Sequence, residues 1–346
     1  MNEQLSQAAA IQAFMERNPS TVEDAQGPTV VFRAVPGAYL DRFKIGSRLF
    51  CRQTDKSLAD ELVRDGHEVN TLPTEPCRLA IVLATKHREE VLYHLALASE
   101  ALAEGGRLIL SAANSLGAGS LERRCAELMG RVESFSKHKC RVMQAVKRTP
   151  DLNTGLLRSW KAGGEMRLDP DTGLYTRPGI FSWKQPDAGS SWLADPLPGD
   201  LAGRGGDLGA GHGFLSRAAL AKSSGITELH LFETERKALE AARLNLAEWA
   251  GRCSLHFHWA DVAAGLGIGG LDFVLMNPPF HAGRGAVPAL GQAFVREAMQ
   301  ALRPGGRLFM VANRHLPYEG VIQSHSGEIA ISEQAQGFKR FVARRR

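Results

Sequence analysis

One pattern occurs twice in this chain. Ala101-Leu102-Ala103-Glu104-Gly105-Gly106-Arg107-Leu108-Ile109-Leu110 returns as Ala301-Leu302-Arg303-Pro304-Gly305-Gly306-Arg307-Leu308-Phe309-Met310, and each copy is followed closely by Ala-Asn, at Ala113-Asn114 and Ala312-Asn313. Each copy reads as a helix end, a Gly-Gly turn and an apolar strand. Such connections are common enough to coincide by chance, but the preceding strands also correspond, with Leu79 to His87 in the place of Phe273 to His281. Self-similarity of this kind means two copies of one structural plan. A length of 346 residues lets each copy bury a core of ordinary size.

Within the first copy, helices are expected near Ser6 to Glu16, Leu58 to Asp65 and 88 to 104. Strands are expected near 29 to 32, Arg48 to Cys51, 79 to 84 and 107 to 112. That alternation describes an α/β fold with a doubly wound sheet. The second copy repeats it from residue 205 onward. Between them, Thr149 to Gly189 carries Pro150, Pro170, Pro178 and Pro186 with several glycines and reads as a connector. The expected domains are therefore 1–155 and 156–346, with 156–190 as the connector at the head of the second.

The two copies differ in the residues that carry chemistry. In the second, Asp272-Phe273-Val274-Leu275-Met276 runs into Asn277-Pro278-Pro279-Phe280-His281. A strand of this kind delivers Asn277 to the carboxyl edge of a parallel sheet, where open α/β sheets bind ligands, and two prolines with fixed backbone angles stop it there. Asn-Pro-Pro also occurs as a plain turn. What lies upstream decides between the two. Asp207-Leu208-Gly209-Ala210-Gly211-His212-Gly213-Phe214 has the form D-x-G-x-G-x-G, in which glycines let the backbone approach a ligand before a helix begins with unpaired N–H groups. The dinucleotide fingerprint needs glycine at the sixth position, which here is Phe214, so a nicotinamide or flavin fits poorly.

Glu233 ends the apolar run Leu229-His230-Leu231-Phe232, about twenty residues after the glycines, where a carboxylate can accept hydrogen bonds from ribose hydroxyls. Asp261 ends a third strand, Ser254 to Ala260, and adds a further carboxylate at a strand end. An Asp there is also a common helix cap. In the first copy both signatures have decayed: Arg33-Ala34-Val35-Pro36-Gly37 follows the first strand without the glycine spacing, and Ala84-Thr85-Lys86 stands where Pro278-Pro279-Phe280 stands.

Composition excludes several classes. With 44% hydrophobic and 23% charged residues the chain is that of a globular protein, and no apolar run approaches twenty residues. Charged and polar side chains throughout residues 1–20 give no signal peptide, so a cytoplasmic location is the expectation. Cys51, Cys77, Cys125, Cys140 and Cys253 form no C-x-x-C pair; reduced structural thiols are expected, with neither a metal site nor a disulfide framework. The net charge is +5, and the basic residues cluster: Lys137, Lys139, Arg141, Lys147 and Arg148 occur without an intervening acid, and the chain ends Arg344-Arg345-Arg346. Such runs are usually solvated surface, yet they also suit a polyanion such as RNA.

The order of glycine loop, acidic strand end, Asp, Asn-Pro-Pro-Phe and Pro-Gly-Gly resembles the class I S-adenosylmethionine methyltransferases. Three segments narrow the resemblance: Pro178-Gly179-Ile180-Phe181-Ser182 followed by Asp187-Ala188-Gly189-Ser190; Asn277 to His281; and Val311-Ala312-Asn313-Arg314-His315-Leu316-Pro317-Tyr318. With them the chain resembles, over essentially its full length, the bacterial ribosomal RNA guanine-N2 methyltransferases, the small-subunit (16S) enzymes above all, with the large-subunit (23S) enzymes close. Members often carry Cys where this chain has Ala210.

The resemblance implies two tandem Rossmann-like methyltransferase domains, the N-terminal one degenerate and RNA-binding or structural. It implies S-adenosylmethionine as donor, no metal, and ribosomal RNA as partner of a monomeric enzyme, with residues 181–190 closing over the cofactor or the target base. Asp207, Gly209, Gly211, Gly213, Glu233, Asp261 and Asn277 become the expected cofactor contacts. Asn277, Pro278, Pro279 and Phe280 become the acceptor site, and Lys137, Lys139, Arg141, Lys147, Arg148 and His281 the RNA contacts.

Guanine N2 is a poor nucleophile because its lone pair is delocalised into the ring. The Asn277 side-chain carbonyl and the Pro278 backbone carbonyl are expected to accept its two hydrogens and localise that pair, with Phe280 stacked on the base. Three alternatives share part of the pattern: a DNA-adenine or protein-glutamine methyltransferase, which more often has Tyr at the fourth position; a non-catalytic RNA-binding assembly factor, in which the active motifs should have decayed; and a dinucleotide oxidoreductase.

Overall fold

The computed structural model of the chain describes residues 3–23, 27–43, 48–279, 281–282, 285–286, 288–335 and 337–346. It divides into two compact units, Met1–Glu165 and Met166–Arg346.

The first unit is built on a seven-stranded sheet: β1 (Thr29–Phe32), β2 (Leu49–Arg52), β3 (Glu68–Val69), β4 (Cys77–Leu83), β5 (Leu102–Ala113), β6 (Val132–Lys137) and β7 (Cys140–Val146), in the order β3-β2-β1-β4-β5-β7-β6. Strands β1 to β5 pair in parallel. Strand β7 returns antiparallel between β5 and β6. The central strands are apolar on both faces, as strands covered on both sides by crossover helices must be. Val31, Ile81 and Ile109 meet Ile11, Phe14 and Met15 of helix Glu3–Arg17 on one face. Val30, Val82 and Leu110 meet Val91 and Leu95 of helix Arg88–Ala101 on the other. Each such buried side chain contributes roughly 1.5–3 kcal/mol relative to exposure.

The second unit opens with a hairpin, β8 (Arg167–Asp169) and β9 (Leu174–Thr176), and then repeats the plan. Its sheet comprises β10 (Ala202–Leu208), β11 (Gly225–Glu233), β12 (Ser254–Trp259), β13 (Leu271–Met276), β16 (Leu302–Asn313), β17 (Ser326–Ala335) and β18 (Phe338–Arg345), in the order β12-β11-β10-β13-β16-β18-β17. Two short segments, β14 (His281–Ala282) and β15 (Gly285–Ala286), pair antiparallel between β13 and helix Pro288–Ala301. Position for position, this strand order is that of the first unit.

The repeated Gly-Gly has a physical cause. Gly105 and Gly305 take φ of +74° and +77°, a region that L side chains rarely adopt. A Cβ on Gly106 would lie 2.9 Å from the Ala103 carbonyl and 3.1 Å from that of Cys77; on Gly306 it would lie 2.9 Å from those of Arg303 and Leu271. Near the start of β5 and of β16 the chain bends and passes too close to the neighbouring backbone for any side chain.

The structure corrects the expected boundary at residues 155 and 156. Helix Thr154–Gly164 lies in the first unit, because Leu156, Leu157 and Trp160 pack on the core beneath helix Arg88–Ala101. Asn153 caps it by accepting from Leu156 N at 3.0 Å. Only from Met166 does the expected connector belong to the second unit. The five cysteines are free and buried, and burial pushes the thiols of Cys51 and Cys125 up to about 12. Among the described residues, no helix is long and apolar enough to cross a membrane.

Candidate active site

Strand β10 ends at Leu208, and the next residues turn sharply, with φ of +73°, +54° and +84° at Gly209, Gly211 and Gly213. Phe232 O holds the turn by accepting from Gly209 N at 2.9 Å and Ala210 N at 3.0 Å. Helix Phe214–Lys222 starts immediately after it. Asn245 ties the loop to the hairpin: its Nδ2 donates to His212 O at 2.8 Å and to Tyr175 O at 3.0 Å, while its Oδ1 accepts from Tyr175 N at 2.6 Å. A Cβ added at Gly211 would meet nothing within 4 Å, so this part of the loop faces open space.

That space is a cleft lined by Phe181, Ser182, Asp187, Ser190, Gly209, Ala210, Gly211, His212, Phe214, Leu215 and Asn277. Glu233 borders it through the loop, its Oε2 accepting from Gly211 N at 2.8 Å and its Oε1 from Glu235 N at 2.9 Å. Burial raises its pKa.

Asp207 lies beneath the loop and is 1% exposed. Its Oδ2 accepts from Ser216 N at 3.1 Å and Ser216 Oγ at 2.7 Å, while Oδ1 is buried with no partner among the described residues. Burial pushes its carboxyl up to about 7. Of the other expected cofactor residues, Gly213 does not line the cleft, and Asp261 accepts from Ala263 N at 2.9 Å as the cap of a short turn after β12.

Asn277 follows β13 and is half-buried, with Pro278 buried and Pro279 exposed. Its Nδ2 donates to Asp187 Oδ2 at 2.8 Å and to Ser190 Oγ at 2.9 Å. Asp187 Oδ2 also accepts from Ser190 N at 2.8 Å, capping helix Ala188–Ala194. Both amide hydrogens of Asn277 are thus used. Among the described residues nothing donates to its Oδ1. Phe181, 55% exposed, stands on the rim beside Ser182, whose φ is +57°. Phe280 lies outside the described residues, as does the side chain of His281.

Sequence reasoning named the 181–190 segment but not its link to Asn277, nor the parts played by His212 and Phe214. Ser190 and Asn277 are 87 positions apart, and no local pattern marks such a pair.

Sheet register identifies what stands at these positions in the first unit. Phe32, Arg52 and Val82 occupy the places of Leu208, Phe232 and Met276. The residues that follow are therefore Arg33 for Gly209, Gln53 for Glu233 and Leu83 for Asn277. Arg33 takes φ of +58° despite its side chain and donates to Thr54 Oγ1 at 2.6 Å. Gln53 is fully buried; its Nε2 donates to Ala34 O at 2.7 Å. The edge beyond β4 is closed by Gln7, whose Nε2 donates to Ala84 O at 3.0 Å and whose Oε1 accepts from Ala84 N at 2.8 Å. This cleft is filled by its own side chains.

The expected RNA contacts do not form one patch. Arg141 is paired with Glu122, and Lys147 Nζ donates to Leu102 O at 2.5 Å. Lys137 and Lys139 are exposed at the turn between β6 and β7, and Arg148 is exposed beyond the other end of β7. The two sets are roughly 20 Å or more apart at about 3.4 Å per residue. Elsewhere, Glu228, His230 and His256 cluster on β11 and β12. The two imidazoles stack at 4.6 Å and 15°, with Glu228 Oε1 2.7 Å from His230 Nε2 and 3.6 Å from His256 Nε2.

The sheet order, glycine loop, acidic strand end and Asn-Pro-Pro edge define a class I S-adenosylmethionine-dependent methyltransferase. The residues present fit that cofactor: Gly211 opens on free space, and Glu233 offers a carboxylate beside it. The Methyltransferase small domain family matches residues 171–341. The ribosomal RNA small subunit methyltransferase C of Klebsiella pneumoniae is 30% identical over 266 residues, covering 76% of this chain and 74% of that protein. The ribosomal RNA large subunit methyltransferase G of Alcanivorax borkumensis is 34% identical over 151 residues, 43% of this chain and 38% of that one. The fold is also that of a T. thermophilus 16S rRNA N2 methyltransferase solved with AdoMet and guanosine, at TM-score 0.79 and 22% identity over 92% of this chain and 88% of that one. The chain belongs to the ribosomal RNA small subunit methyltransferase C family.

Proposed function

We propose that this enzyme methylates the exocyclic N2 amine of one guanosine in 16S ribosomal RNA. The observation that carries the proposal is the Asn277 carbonyl, left without a donor among the described residues at the sheet edge, beside the glycine loop. S-adenosylmethionine supplies an electrophilic methyl group when bound. Gly209, Gly211 and Glu233 hold it, and Asp207 braces the loop from below. Asp261 stands at the end of β12 for the adenine amine.

Asn277 Oδ1 and the Pro278 carbonyl accept the two amine hydrogens, which draws the nitrogen toward a tetrahedral shape and localises its lone pair. Pro279 fixes the turn, and Phe280 provides the stacking face. No strong base is required, because the amine proton becomes acidic as the new N–C bond forms. A base-paired guanine hides N2 in the shallow groove, so the nucleotide must leave its stack to enter the cleft.

On this reading the first unit, its own cleft filled, holds RNA through Lys137, Lys139 and Arg148, with His281 as a further RNA contact. The enzyme works as a cytoplasmic monomer on RNA within the small ribosomal subunit. Support for the small subunit over the large one is the share of chain matched: the small-subunit relative aligns over 76% of the sequence and the large-subunit relative over 43%.

The test is transfer of labelled methyl to separated, unmodified small and large subunits, with the product nucleoside identified by mass spectrometry. N2-methylguanosine in the small subunit is the expected result. Its appearance in the large subunit would reassign the substrate, and incorporation into protein or DNA alone would overturn the RNA reading.

A further inference from the structure

An asparagine amide has two unlike ends, a carbonyl that accepts and an NH2 that donates. Only the carbonyl can take a hydrogen from a substrate amine. Rotation by a half-turn about the last side-chain bond exchanges the two ends at almost no steric cost. A second donor would then face the amine, and no lone pair would be localised. The acceptor site works only if something holds the amide one way round.

We propose that Asp187 and Ser190 are positioning residues that fix the Asn277 amide with its carbonyl toward the target amine. The inference rests on the guanine-N2 reading above and adds to it the device that selects the substrate's chemistry. Asp187 is a carboxylate and can only accept, so it must face the NH2 end. Its Oδ2 lies 2.8 Å from Asn277 Nδ2, and Ser190 Oγ takes the second hydrogen at 2.9 Å. The clamp is itself rigid, because the same Oδ2 caps helix Ala188–Ala194 through Ser190 N at 2.8 Å. One carboxylate oxygen therefore sets both the helix start and the direction of the amide. A carbonyl held in this way accepts from an amine and repels a substrate carbonyl, so the clamp selects nucleobase edges that present an NH2 group.

Capping and clamping can be separated by substitution. Asp187→Ser keeps a good helix cap but is too short to reach Asn277. Asp187→Asn is nearly isosteric, and its side-chain oxygen can replace Oδ2 toward both donors. The expected result for Asp187→Ser is a fall in kcat of about 100-fold, with the Tm, the affinity for S-adenosylhomocysteine and the KM for RNA close to wild type. Asp187→Asn is expected to restore most of that kcat, and Ser190→Ala to show a smaller loss than Asp187→Ser. Full turnover in Asp187→Ser beside an active wild type would overturn the clamp while leaving the functional reading intact. A parallel loss of Tm and cofactor affinity in Asp187→Ser would also overturn it, by assigning Asp187 a purely structural part. A wild type that forms no N2-methylguanosine would overturn the functional reading, and the clamp with it.

Discussion

Lys147 and Arg345 hold corresponding places in the two units, one residue beyond the β7 partner of Arg107 and one beyond the β18 partner of Arg307. Lys147 Nζ donates to Leu102 O at 2.5 Å and Glu100 O at 3.4 Å; Arg345 Nη1 donates to Gln300 O at 2.7 Å and also to Leu302 O. In both units a cation from the final strand caps the carbonyls at the end of the helix that leads into β5 or β16. Such a cation complements the negative end of the helix dipole. The duplication thus extends to individual polar contacts.

Lys147 and the hairpin lysines should therefore respond differently to substitution. Lys147→Ala is expected to lower stability by about 0.3–1 kcal/mol, read as a shift in Tm, with little change in RNA affinity. The double variant Lys137→Ala, Lys139→Ala should keep its Tm, bind RNA more weakly and flatten the dependence of affinity on salt, by a slope of about one to two for the lost phosphate contacts. Equal salt slopes for the wild type and the double variant would remove these lysines from the RNA surface.

Removing the amide altogether should separate chemistry from binding. Asn277→Ala is expected to reduce methyl transfer by roughly two to three orders of magnitude while S-adenosylhomocysteine still raises the Tm. If calorimetry shows cofactor affinity falling in step with the rate, Asn277 holds the cofactor rather than the acceptor.

Two glycine substitutions should fail for opposite reasons. Gly211 takes φ of +54° and faces open space, so Gly211→Ala should fold with a penalty of about 1 kcal/mol and lose at least about tenfold in cofactor affinity as the methyl group intrudes on the cleft. Gly291 lies in helix Pro288–Ala301, where a Cβ would overlap the hydroxyl of the fully buried Tyr318. Gly291→Ala should cost about 1–3 kcal/mol through overpacking, measurable by denaturant titration. The Tyr318 hydroxyl has no hydrogen-bond partner among the described residues, so adding Tyr318→Phe should recover part of that loss.

Asp207 should give the stability curve a recognisable slope. Its carboxyl is pushed up to about 7 in the folded protein by burial, against 3.8 as the ordinary value, so the folded state holds the proton more tightly than the unfolded chain. The contribution is greatest below pH 3.8 and is lost as pH rises from there through about 7. Asp207→Asn stays neutral and keeps an oxygen for Ser216. Relative to wild type it should gain stability across that window, up to a few kcal/mol, and then level off. Chemical denaturation at a series of pH values, with a flat difference between the two proteins, would exclude a protonated Asp207.

Much of this was legible in the sequence because the chemistry there is local. The Gly-Gly repeat reports a turn in which two backbones nearly touch, and D-x-G-x-G-x-G reports a loop with three left-handed residues. The contacts that finish the site are not local: Asp187 meets Asn277 across 90 positions, and Gln7 meets Ala84 across 77. Helix Thr154–Gly164 was hidden by the prolines on either side of it, which read as one linker. Lys147 and Arg141 read as free positive charge, because a sequence does not show which cations are already engaged.

Gln7, Gln53 and Leu83 together make the first copy of the fold complete in itself. An enzyme copy must keep an empty place in its architecture and accept the instability that goes with an unfilled cleft. The other copy, having drawn its own side chains into that place, no longer has to fit any visitor. One structural plan, used twice in this chain, serves once as a half that must wait for a guest and once as a half that need not.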